Sequence, residues 1–135
     1  MTSTFDREGR VMSTQESLRT SAHVDALEVS PDDIIRQLAD VLSKPVVAFI
    51  FGKDERTISR WIENPQLRLR ADDEQRARNT YQIYALLAPS EGSHTVRAWF
   101  MGMNPQLEDE APAEALAEGR YREVMAAARA YVNGG

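Results

Sequence analysis

Two histidines, His23 and His94, are the first residues to weigh for chemistry in a chain that has no cysteine. Histidine as a metal ligand needs partners at fixed spacing, and as a base it needs a nucleophile within reach. His23 lies in a polar N-terminal stretch and His94 at the start of a helical pattern, and neither has such a neighbour. The run Glu108-Asp109-Glu110 has the charge for a cation, but calcium loops spread their ligands at alternate positions around a glycine. A solvated acidic loop accounts for it. With no glycine-rich phosphate loop either, the chain reads as a non-enzyme with no catalytic residue, metal or cofactor.

Binding chemistry is better supplied. Between Asp54 and Glu63 a short helical pattern turns Ile58, Trp61 and Ile62 inward and leaves Arg56, Thr57, Ser59 and Arg60 outside. Arginines four apart share a helix face, and hydroxyls beside them can reach phosphates or base edges. Lys53, Arg68 and Arg70 extend this into a basic rim suited to DNA. Residues 53–78 hold seven basic and six acidic side chains, a net of +1, so geometry has to separate the signs. A third pattern joins Trp99, Phe100, Met101 and Met103 with Tyr121 and Met125. Aromatic and methionine surfaces suit a protein partner, although Trp99 and Tyr121 serve equally as the core of a small module.

These residues need helices to position them. Ser30-Pro31-Asp32-Asp33 reads as a helix start with Ser30 as cap, and Ile34, Ile35, Leu38, Val41 and Leu42 recur at helical spacing, with Lys44-Pro45 as the stop. A short helix from Val46 to Phe51 follows, closed by Gly52, and Asp54 caps a third helix running to about Glu63. Ala48, Gly52 and Ile58 have the spacing of a helix-turn-helix: a small residue for close approach, a glycine for the turn, an apolar residue for packing. A longer helix is expected from about Asp72 to Leu87, broken at Pro89-Ser90-Glu91-Gly92. The next, opened by Ser93 or Thr95, carries Trp99 and Phe100 to a left-handed stop at Gly102. Pro112 starts a short helix closed by Gly119, and the last runs from about Arg120 to Tyr131.

The expected fold is all-α, divided into a disordered or weakly ordered tail at 1–29, a helix-turn-helix core at 30–90 and a C-terminal module at 91–135. Met12 offers an alternative start. The longest apolar run, Pro45 to Phe51, is far below the roughly 18–20 residues that cross a bilayer, and no signal-peptide layout precedes it. A cytoplasmic protein with no membrane partner is expected. The net charge of -5 disfavours nonspecific phosphate binding over the whole surface.

Within Arg97 to Val124, the residues Trp99, Asn104, Pro105, Leu107, Pro112, Glu114, Ala115, Leu116, Gly119, Arg120, Tyr121 and Val124 agree in type and spacing with one family. The stretch resembles the toxin-binding domain of the Xre/MbcA/ParS antitoxins. Glu108-Asp109-Glu110 departs from that pattern, where the family carries small residues, often glycine. The resemblance implies an antitoxin of a type II toxin-antitoxin pair. Its C-terminal module would neutralise a RES-domain, NAD-degrading toxin near that toxin's active site, and its helix-turn-helix would bind operator DNA to repress its own transcription. Toxin contact would then fall to Trp99, Phe100, Met101, Met103, Asn104, Pro105, Arg120, Tyr121, Tyr131, Val132, Asn133, Gly134 and Gly135, in a homo-oligomer at least dimeric. The alternative is a helix-turn-helix regulator without a toxin, whose C-terminal module mediates dimerisation.

Overall fold

Proline at a first helical turn, where no intrahelical N–H is needed, opens three of the helices in this chain. The computed structural model describes residues 4–5, 11–12 and 29–134. Helix α1 (Pro31–Leu42) follows Ser30, whose hydroxyl is bonded to Asp33 Oδ2 at 3.1 Å and does not cap a backbone N–H as expected. Lys44-Pro45 does not end α1 but begins α2 (Lys44–Phe51). The break falls on Ser43, at φ 93°, whose Oγ accepts from Val46 N at 3.5 Å, so the proline occupies the first turn, where it is tolerated.

Gly52 closes α2 in the left-handed conformation, and Asp54 Oδ1 accepts from Thr57 N at 2.8 Å to cap α3 (Glu55–Ile62). Helix α4 (Ala71–Leu87) carries Asp72, Asp73 and Glu74 in its first turn, favourable at the positive end of the helix dipole. Then come α5 (Ser93–Met101), a 3-10 turn (Pro105–Leu107), α6 (Pro112–Ala117) and α7 (Tyr121–Val132). Gly119 is left-handed as expected, but Gly102 is extended (φ -88°, ψ 158°). Space is tight there, since a Cβ would meet the Ala98 carbonyl oxygen at 3.0 Å.

The α1 face of Ile34, Ile35, Leu38 and Leu42 is fully buried, and α2, α3, α4 and α5 all pack on this helix. Helix α6 lies on α2 and α7 on α4, so Val96, Phe100, Leu107, Leu116, Val124 and Ala128 join the same apolar cluster as Ile58 and Leu87. The segments on either side of residue 90 thus share one core. Arg76 fastens them further by donating to the carbonyls of Ile50, at 3.1 Å, and Leu116.

From Pro31 to Val132 every regular element is a helix. Near the N-terminus Thr4–Phe5 pairs antiparallel with Val11–Met12, a two-rung contact that the sequence did not signal. The rest of the expected 1–29 tail lies outside the described residues, Val29 excepted. Among the described residues no helix is long and apolar enough to cross a membrane.

Candidate partner-binding surface

Helix α5 is nine residues long, so its side chains divide sharply between core and surface. Phe100 is 0 % exposed and Val96 1 %, which corrects the expectation of Phe100 as a contact residue: it belongs to the core cluster. Trp99 next to it is half-buried, set edge-on to Phe100 at 5.3 Å between ring centroids and 6.3 Å from Tyr131 of α7. Met101 and Met103 point outward, Met103 at 80 % exposure. Tyr131 is also exposed, and its hydroxyl donates to Glu91 Oε1 at 3.1 Å, tying the end of α7 to the segment before α5. Burial pushes the Tyr131 phenol above its ordinary pKa, and the hydrogen bond and charge of Glu91 add to this.

The turn after α5 is built by Asn104, whose side chain accepts from Gln106 N at 2.9 Å. Its carbonyl accepts from Leu107 N and Asp109 N, both at 2.9 Å, and its own N–H donates to Glu110 O at 3.1 Å. Pro105 is exposed and Leu107 buried. Glu108 and Asp109 take φ values of 54° and 67°, the left-handed region that glycine occupies without cost. This gives a backbone reason why small residues, often glycine, suit these positions.

Arg120, at the α6–α7 bend, pairs with three carboxylates. Its Nη1 meets Glu110 and, at 3.1 Å, Glu118, and its Nε meets Glu123 at 2.7 Å. The hydrogen bond from Arg120 holds the Glu123 carboxyl below the usual range. Arg120 is therefore an organiser of the Glu110 loop and the start of α7 more than a free contact. Tyr121 is half-buried, its hydroxyl 3.4 Å from Gln82 Oε1. Val132 is partly buried, Asn133 and Gly134 are exposed, and Gly135 lies outside the described residues.

The basic set lies on and around α3. Ile58 is buried, Trp61 sits edge-on to Phe51 at 5.7 Å, and Arg56 and Arg60 are exposed. Thr57 and Ser59 are half-buried, with Arg60 Nη2 3.2 Å from Thr57 Oγ1. Asp54 stays ionised beside them, because the hydrogen bonds from Thr57 lower its pKa. Lys53 pairs with the buried carboxylate of Asp73 at 3.5 Å, which binds it to α4 and leaves it less free for a phosphate. Arg68 and Arg70 are exposed, and Arg68 lines a cleft of about 450 Å3 with Pro31, Glu74 and Arg78.

Two surface features had no sequence signal. Phe49 on α2 is 55 % exposed, although its helix reads as uniformly apolar. The Trp99–Tyr131–Glu91 assembly joins residues forty apart in the chain, a tertiary contact that no local spacing encodes. Among the described residues no group of three or more histidine, aspartate or glutamate side chains is placed to hold a metal. No family model, curated protein or solved structure matches the chain.

Proposed function

We propose that this protein is the antitoxin of a type II toxin-antitoxin pair, and that it neutralises a RES-type NAD-degrading toxin by direct contact. The observation that carries the reading is the division of labour within Arg97 to Val124. Leu107, Pro112, Ala115, Leu116 and Val124 are buried, Gly119 is left-handed and Asn104 builds a turn, so these residues of the resembling pattern have a structural task. That leaves Trp99, Met101, Met103 and Tyr131 on the outside, an aromatic and methionine surface of the kind partners use. The toxin contact then consists of these four with Pro105, Val132 and the terminal Asn133 and Gly134, while Phe100 and Arg120 support it from beneath and beside.

Helices α2 and α3 serve as a helix-turn-helix in this reading. Arg56 and Arg60, helped by Arg68 and Arg70, meet operator phosphates in an autorepressing complex that is at least a dimer. The alternative is a DNA-binding regulator with no toxin, whose C-terminal module mediates dimerisation.

The test is co-expression with the neighbouring reading frame, co-purification, and an NAD-consumption assay of that neighbour with and without this chain. Co-purification with suppressed NAD loss is the expected result. Removal of residues 132–135 should relieve the suppression while shifting the thermal midpoint by no more than a few degrees, since only Val132 among 132–134 touches the core. A neighbour that neither binds nor consumes NAD would leave promoter binding by the chain alone as the function.

A further inference from the structure

Along α4, Asp72, Arg76, Asn79 and Thr80 recur at the three- and four-residue spacing that gathers side chains on one helix face. This face borders a pocket of about 130 Å3, whose other side is formed by Leu116 and Tyr121 of α6 and α7. A helix face turned toward a neighbouring element is normally apolar. Here it is polar: one buried hydroxyl on it lacks a hydrogen-bond partner, and its guanidinium lacks a counter-ion among the described residues.

Arg76 is half-buried and uses Nη1 for the carbonyls of Ile50 and Leu116, yet it forms no ion pair with any described residue. Thr80 is 0 % exposed, and its Oγ1 has no hydrogen-bond partner among the described residues. A partly desolvated guanidinium without a counter-ion and a buried hydroxyl without a partner each cost stability in the free chain. One ligand group relieves both. A carboxylate accepts from the remaining N–H groups of Arg76 and from the hydroxyl of Thr80, in charge-assisted bonds.

Size narrows the ligand further. At about 130 Å3 the pocket has room for a carboxylate on one or two methylenes. Gly119 lines the pocket as well, with open space where its side chain would stand, so this side of the pocket is not closed. Asp72 has the unfavourable sign, but it is exposed to solvent and already accepts from Asp73 N at 3.0 Å.

We propose that this pocket receives an aspartate or glutamate side chain presented by a protein partner. Tyr121, which lines the pocket, is among the residues that the resemblance implies for partner contact, which favours a protein as the source. The identity of that protein rests on the reading above, whereas the selectivity of the pocket is testable without it.

The 15N-labelled full chain is titrated at constant ionic strength with N-acetyl-glutamate N-methylamide, with its glutamine counterpart, and with acetate. Saturable amide shifts at Asn79, Thr80 and Gly119 are expected with the blocked glutamate, and binding about tenfold weaker or less with the glutamine form. Equal response to the two, or no response to either, overturns the proposal. Acetate binding as tight as the blocked glutamate overturns the protein source and makes the pocket a site for free small carboxylates.

The nearly isosteric Thr80→Val gives a second readout. Removing an unpartnered hydroxyl should raise the thermal midpoint by roughly 2 °C while weakening blocked glutamate about three- to tenfold. Thr80→Ser should restore the binding. A purely structural role would move stability and binding in the same direction, and undiminished binding by Thr80→Val would refute the assignment.

Discussion

Asp54 caps α3 through Thr57 N and stands beside Arg56 and Arg60, so its ionisation is linked to folding. Its carboxyl is held below the usual range in the folded chain, chiefly by the backbone and hydroxyl hydrogen bonds of Thr57. The unfolded chain therefore binds this proton more readily, and the linked stability is present above the unfolded pKa of about 3.9 and lost as pH falls through the folded value. Glu123, held down by Arg120, acts in the same direction. Asparagine caps a helix about as well as aspartate but does not titrate here. Asp54→Asn should thus leave the thermal midpoint near pH 7 little changed and make the loss of stability below pH 5 shallower. Thermal melts from pH 7 to pH 3 check this, and an unchanged acid limb would remove Asp54 from the linkage. The substitution also lifts one negative charge from the helix assigned to DNA, so weaker operator binding by Asp54→Asn would count against that assignment.

Local rules made part of the α2–α3 turn legible, although they failed at Ser30, which does not cap, and at Gly102, which is extended. Gly52 had to be left-handed between two short helices, and Asp54 had to cap, because no residues nearby offer the same turn and acceptor. Lys44-Pro45 was misread as a stop since proline is equally at home in a first turn, and only Ser43 at φ 93° decides between the two. The order of burial along α5 was not legible either. Phe100 and Trp99 are adjacent and similar in bulk, and the register of α5 against α1 sends one inward.

Backbone conformation separates two glycine-related predictions at this scale. Gly52→Ala meets no atom within 4 Å, so its cost is conformational alone, about 1–2 kcal/mol for a left-handed residue with a Cβ. Glu108→Gly runs the other way, because Glu108 is left-handed at φ 54°. Relief of that strain, offset in part by the flexibility of glycine in the unfolded chain, should stabilise by roughly 0.5 kcal/mol. Denaturant midpoints of the two variants should therefore move in opposite directions. A Glu108→Gly chain less stable than the parent would show that the carboxylate at this position contributes more than the backbone strain costs.

At the scale of the whole molecule, the expectation of two units meeting at residue 90 has to be set against a core that runs through both. Helix α5 packs on α1 and α7 on α4, and Val96, Phe100, Val124 and Ala128 share one cluster with Ile34, Ile58 and Leu87. Burial of a large apolar side chain is worth about 3–5 kcal/mol when probed by truncation to alanine, while the whole stability of a domain is about 5–15 kcal/mol. Loss of a few such contacts is enough to unfold either half, so the chain should melt in a single transition and residues 1–90 alone should show none. This connects the two activities proposed for the two surfaces. A partner that grips Trp99, Met103 and Tyr131 stabilises the folded chain by mass action, and every amide that exchanges only through global unfolding gains the same protection. Under saturating partner, hydrogen exchange at Ile58 in α3 should slow by the same factor as at Val124 in α7. If protection rises at Val124 while Ile58 is unaffected, the two halves open separately, and α3 would meet its operator in the same state whether or not the partner is bound.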